Sequence, residues 1–268
     1  MKNKKANGKL IWAVLLAIPS LVLLFLEIFP PVYSSDKVMD GMLRILTTRS
    51  VGCFVFIPLA VYLGYNIFGL TKKSRYKQLL CTLVPLAVVV NNFPFIGVLT
   101  GNAYVTSPYW YIPVFALESL SIGLFEEFAF RGVLFPYILE NRRSSGKSIF
   151  WSTVISSALF GGIHLFNLFA GGSPGAVLLQ VGYSFLIGGM CAIVLLYTRC
   201  IWICVALHAI YDFCGYMIPT LGTGIIWDTA TVVITAMLGV FALVFMLIWL
   251  FKITPDRADE LYNKAASE

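Results

Sequence analysis

Apolar runs separated by short polar or charged links recur along the whole chain. A helix that crosses a bilayer needs about 20 mostly apolar residues, and about eight segments meet that criterion. They are Leu10–Pro31, Val51–Leu70, Leu79–Leu99, Tyr109–Leu139, Ser148–Phe169, Ala176–Tyr197, Ile201–Pro219 and Ile225–Phe251. The fourth carries charge in its middle, and only Thr198–Cys200 separates the sixth from the seventh. Ser34–Arg49 mixes Lys37, Arg44, Arg49, Asp36 and Asp40 with Val38, Met42, Leu43, Ile45 and Leu46, a pattern that predicts a short interfacial amphipathic helix. Lys252–Glu268 forms a polar tail, and no internal repeat or low-complexity stretch occurs.

The links set an orientation. Lys2, Lys4, Lys5 and Lys9 precede the first run. Lys72, Lys73, Arg75 and Lys77 follow the second, Arg142, Arg143 and Lys147 the fourth, and Arg199 the sixth. Gly101–Ser107, Ala170–Gly175 and Thr220–Gly224 contain no Lys or Arg. By the positive-inside rule both termini are cytoplasmic. The first run follows a basic segment but continues to about Tyr33 with no small-residue cleavage site, so it reads as a retained anchor.

Composition agrees. Hydrophobic residues make up 59% of the 268 and charged residues 12%, where soluble domains carry about 25% charged residues. The net charge of +6 sits in the links, so nucleic acid is excluded as a partner and the lipid bilayer is the expected surrounding. Cys53, Cys81, Cys191, Cys200, Cys204 and Cys214 lie in or beside apolar runs and make no disulfide framework. The expected class is an all-α, polytopic integral membrane protein. Its parts are helices one to three in 1–107, a core in 108–219, a last transmembrane helix in 220–251 and a cytoplasmic tail in 252–268.

Ionisable groups at membrane depth are costly and mark function. Here they are Glu118, Glu126, Glu127, Arg131, His164, His208 and Asp212. Both histidines of the chain fall in apolar runs. Glu127 and Arg131, four residues apart on a helix, can pair. That leaves Glu126, about 100° round the helix, as an unpaired carboxylate suited to general-base work. His208 and Asp212 share a helix face, and a carboxylate beside an imidazole fixes its tautomer. Gly161 and Gly162, before His164, allow close approach of a helix or a substrate backbone. Cys200 and Cys204 extend the His208 stripe and read as small-residue packing ahead of a thiolate metal site. Glu118, Asn91 and Asn92 are polar insertions with no assigned role, and Glu27 and Asp228 lie near outer helix ends. On a rise of about 1.5 Å per residue, the depths of Glu126, His164 and His208 converge only if a helix is tilted or broken.

Three motifs stand in order on separate runs: Glu126-Glu127-x-x-x-Arg131, Phe160-x-x-x-His164 and His208-x-x-x-Asp212. Together they resemble the CPBP family of CAAX-type prenyl-protein proteases and bacteriocin-processing or immunity membrane proteins, also called Abi. The resemblance covers roughly Pro108 to Pro219. It implies an intramembrane endopeptidase, glutamate-type or metallo, acting on a peptide or membrane-associated protein in a membrane, the bacterial plasma membrane being expected. It implies that Glu126 and His164 activate water, that His208 and Asp212 stabilise an oxyanion or bind metal, and that Glu127 and Arg131 hold the site together. The third motif ends in aspartate, which when ionised cannot donate to an oxyanion. Orienting His208 suits Asp212 better. Zinc stays open as a cofactor, with Glu126, His164, His208 and Asp212 as its ligands. A non-enzymatic immunity or scaffold protein and a proton-coupled transporter are the alternatives.

Overall fold

The computed structural model describes residues 18, 21–23, 25, 26, 29–69, 75–142 and 145–262. Most of the expected first helix, the basic Met1–Lys9, and Glu27, Lys72, Lys73, Arg143 and residues 263–268 lie outside the described residues.

Helix α1, Lys37–Leu63, starts where the Asp36 side chain accepts from the Met39 backbone N–H at 2.8 Å and ends on Gly64 in the left-handed conformation (φ 70°). It corrects the expected interfacial helix at Ser34–Arg49, which is the first half of one continuous helix. The physical reason is a buried stripe (Met39, Met42, Thr48, Gly52, Val55, Ala60) that runs unbroken through both halves. Arg44 satisfies its charge within the helix, on Asp40 at 2.7 Å.

Helix α2, Arg75–Asn91, is shorter than the expected Leu79–Leu99 run, which breaks before a short α3 at Phe95–Leu99. Pro94 disfavours a helical residue ahead of it. The two asparagines there reach neighbouring helices: Asn91 donates to the Thr235 hydroxyl (3.0 Å) and Asn92 to the Tyr211 carbonyl (2.9 Å). Helix α4, Tyr111–Glu127, continues without a gap into a π-helical segment, Phe128–Leu134, and then α5, Phe135–Arg142. Helix α6, Gly146–Ile163, tightens into a 3-10 turn at His164–Leu168. Helices α7, Pro174–Thr198, and α8, Ile201–Leu221, follow. Helix α9, Thr229–Phe251, begins on Asp228, whose side chain caps Thr231. Hydrogen bonds from Thr231 hold that carboxyl below the ordinary aspartate range.

Five helices among the described residues are long and apolar enough to cross a membrane: α1, α6 with its 3-10 turn, α7, α8 and α9. Tyr76–Asn91 is a shorter apolar helix. The centre is the second half of α7, where every residue from Met190 to Thr198 is buried, as in a helix enclosed on all sides. By contrast α9 exposes Val233, Met237, Val240, Phe241 and Phe251, an outer face suited to lipid.

Two features depart from the expected arrangement, one in secondary structure and one in the tail. β1, Ala103–Val105, pairs antiparallel with β2, Gly222–Gly224. Glycine is needed there: Gly224 has φ 125°, and a Cβ on it would lie 2.0 Å from the Asn102 carbonyl oxygen. The expected polar tail, 252–268, is also partly folded. A short helix α10, Pro255–Asp259, brings Ala258 and Leu261 fully into the core. Arg257 donates to the Leu196 and Tyr197 carbonyls (3.3 and 2.6 Å), which are among the last four of α7 and so have no partner within the helix.

Helices α1 and α4 run parallel, Met42 clustering with Tyr111 and Phe115 while Phe56 meets Phe125. Helix α8 runs antiparallel to α4: Phe115 packs on Phe213, and Gly123 faces Val205 and Ala209. A Cβ at Gly123 would stand 2.9 Å from the Val205 carbonyl oxygen and 3.1 Å from the Ala209 nitrogen. Both are backbone atoms, so a side chain there must push the helices apart. Gly123→Ala is expected to cost about 1–3 kcal/mol in thermal unfolding in detergent. It should also slow any reaction that needs α4 and α8 in register, which rate measurements on the same preparation would show.

Candidate active site

The α4–α8 contact sets the first part of the site. His208, on α8, faces the end of α4, where Glu126 and Glu127 stand. Its Nδ1 lies 2.7 Å from Glu127 Oε1. A carboxylate accepts, so Nδ1–H donates and Nε2 is turned the other way. There Glu126 Oε2 is 3.6 Å and Asp212 Oδ2 3.5 Å from Nε2. Those distances are too long for direct hydrogen bonds. One imidazole is thus held by one carboxylate and flanked on its free nitrogen by two more.

Arg131 lies behind this group. Its Nη1 is 3.2 Å from Glu127 Oε1, with side-chain exposures of 1% and 0%. The pair spans the junction between α4 and the π-helical segment. π segments in α-helices often occur at functional sites. The guanidinium also lies over the Phe160 ring, 4.3 Å from its centroid. Space for it comes from Gly188, where a Cβ would be 2.9 Å from Arg131 Nη2.

Helix α6 brings the remaining motif. His164 Nδ1 is 2.9 Å from the Phe160 carbonyl oxygen. A carbonyl only accepts, so Nδ1 carries the proton and the basic Nε2 is left for the cavity. The Phe160 ring stands edge-on to His164 (5.3 Å) and to His208 (5.7 Å), a wall that both imidazoles share. Gly161 does what close approach requires, since a Cβ there would be 2.7 Å from the Val181 carbonyl oxygen of α7. Gly162 faces open space.

Glu126, His164, His208 and Asp212 line one cavity of about 340 Å³, together with Glu118, Arg49 and Tyr183. Glu127 and Arg131 stand behind it. The expected convergence of depth is met by the π segment after Glu127 and by the change from α to 3-10 geometry at His164. One expected role changes: Glu127, rather than Asp212, bonds the Nδ1 of His208. Asp212 is four residues along the same helix and reaches only the Nε2 side, whereas Glu127 comes from across the helix pair. Besides Glu118, several cavity groups had no assigned role in the sequence. Arg49 was read as part of an interfacial segment. Tyr183 and Tyr216, whose hydroxyls bond to each other at 2.6 Å, and Gln180, which accepts from Asn167 at 2.7 Å, come from the apolar spans. Their only signal was a polar group within an apolar run.

The metal expectation requires donors that converge. Among the described residues, the group of three whose ligand atoms lie within 4.8 Å of one another is Glu127, Cys191 and Cys204. The expected set of Glu126, His164, His208 and Asp212 is not drawn together in this way. Glu127 is already shared by Arg131 and His208, and Cys204 donates to the Cys191 carbonyl (3.3 Å), as packing predicts. All six cysteines are free.

Fold and cavity together describe a helical integral membrane protein with a carboxylate–imidazole centre enclosed between its helices. Residues 108–214 match the family model described as Type II CAAX prenyl endopeptidase Rce1-like. The match is consistent with the CPBP family, and the matched stretch contains all three motifs. Comparison with curated proteins and with solved structures gave no match.

Proposed function

We propose that this protein is an intramembrane endopeptidase that hydrolyses a peptide bond of a membrane-associated peptide or protein, with water activated by Glu126 and His164. The Rce1-like domain supports a CAAX-type peptidase, and the resemblance to bacteriocin-processing proteins carries the bacterial plasma membrane into this reading. The observation that carries the mechanism is the setting of His208: fixed through Nδ1 by Glu127 at 2.7 Å, with Nε2 facing Glu126 and Asp212.

Glu126 takes a proton from a water in the cavity as that water attacks the carbonyl carbon. His164, its Nδ1 tied to the Phe160 carbonyl, offers Nε2 to orient the same water. The oxyanion that forms accepts from His208 Nε2–H, with the imidazolium kept by the carboxylates around it. Glu126 then returns its proton to the leaving nitrogen as the C–N bond breaks, giving a carboxylic acid and an amine. Asp212 serves here through His208 and not as a donor. The reading is metal-free, and it favours neither the immunity or scaffold protein nor the proton-coupled carrier.

The test is cleavage of a membrane-associated peptide by the protein in proteoliposomes. His208→Ala is expected to lower kcat by about 10²–10³-fold, and treatment with a zinc chelator to leave the rate unchanged. If His208→Ala and Glu126→Gln both cleave at the starting rate, the hydrolase reading is wrong. A chelator-sensitive rate restored by zinc would sink the metal-free part alone.

A further inference from the structure

Glu118 is a buried acid that the mechanism does not use. It sits on α4 two turns before Glu126, about 12 Å away along the axis on a rise of about 1.5 Å per residue. Its exposure is 4%. It lines the same cavity, yet its Oε2 is buried without a hydrogen-bond partner. Ser121 donates to the Glu118 backbone carbonyl and leaves the carboxyl alone. Asp212 is its electrostatic neighbour and is also an acid. With Glu126, these groups place three carboxyls in the cavity lining, beside His164, His208 and Arg49, whose guanidinium lies over the Phe125 ring at 5.2 Å.

Burying a carboxyl oxygen with no donor is costly, and such groups persist where a ligand supplies the donor. We infer that Glu118 forms a subsite for a positively charged group of the substrate peptide, an ammonium or guanidinium carried about three to four residues from the scissile bond. The spacing follows from the 12 Å offset, because an extended chain advances about 3.3 Å per residue. The inference rests on the peptidase reading for its substrate. The charge can come from a Lys or Arg side chain or from the peptide's own amino terminus.

The test uses N-acetylated membrane-associated peptides that differ only in having Lys, norleucine or Glu at successive positions on either side of the scissile bond. A further peptide carries a free amino terminus at the matching distance. Lys at one position is expected to raise kcat/KM about tenfold over norleucine, mainly through KM, the size of one charged hydrogen bond. Glu118→Gln should equalise the two peptides. Glu118→Asp, which keeps the charge, should retain part of the preference and so separates recognition from a packing loss. A preference for the free amino terminus without one for Lys assigns the charge to that source. Absence of any preference in the wild type, or a preference that survives in Glu118→Gln, overturns the subsite. Binding of the same peptides to Glu126→Gln, read by fluorescence anisotropy, needs no cleavage. Selective binding with no cleavage in the wild type keeps the subsite and sinks the peptidase reading, whereas cleavage without selectivity does the reverse.

Discussion

Glu126→Gln is expected to lower the rate of peptide cleavage by about 10²–10⁴-fold, the range that a positioned general base contributes. Gln keeps the shape of the side chain and cannot take a proton from water. Glu126 has the geometry for this role. It lies on the cavity wall, and its Oε2 is 3.6 Å from the free nitrogen of His208, near it but without a direct hydrogen bond. Because the residue makes no ion pair with Arg131, its replacement should leave thermal unfolding in detergent close to that of the wild type. Residues that act as a unit are not additive. The double variant Glu126→Gln/His208→Ala should therefore be little slower than the worse single variant. A Glu126→Gln protein that keeps a tenth or more of the rate would remove Glu126 as the base and point to Glu127 or His164.

The sequence made some of this arrangement legible. Glu127–Arg131 and His208–Asp212 are spacings of four on helices, so helical periodicity alone puts each pair on one face, and the first closes at 3.2 Å. The depth mismatch between Glu126, His164 and His208 also called for a tilted or broken helix. The kind of break could not be read. A π-helical segment arises when backbone bonds re-pair one residue further along, and Phe128–Leu134 has no Pro or Gly pair to mark it. The Glu127–His208 bond was hidden for a different reason. It joins residues far apart in sequence, and periodicity carries no information across helices.

Boundaries were misread where charge and packing compete. Asp36, Lys37, Asp40, Arg44 and Arg49 made the start of α1 look interfacial, yet Asp36 is its N-cap and Asp40 holds Arg44. An apolar average cannot distinguish charges that satisfy one another inside a helix from charges that end it. The converse holds at Asn91 and Asn92, where side-chain bonds to Thr235 and Tyr211 fix the end of α2 inside an apolar run. Arg49 was lost from the site by the same averaging.

Arg131→Leu is expected to destabilise the protein by about 3–5 kcal/mol, the cost of leaving one member of a buried pair uncompensated. Glu127 has 0% exposure, and its Oε2 has no hydrogen-bond partner. His208 still donates to Oε1, which places the expected loss toward the lower end of that range. The double variant Glu127→Gln/Arg131→Leu removes both charges, and buried pairs replaced by neutral groups are often neutral in stability. It should therefore unfold in detergent nearer to the wild type than Arg131→Leu does. Activity should not follow. Without the Glu127 carboxylate, His208 loses the partner that fixes its Nδ1–H and favours its charged form, so cleavage in proteoliposomes should stay at the level of Glu127→Gln. Recovery of rate together with stability would show that Glu127 acts only by neutralising Arg131. Recovery of stability alone assigns it the second task that the 2.7 Å contact implies.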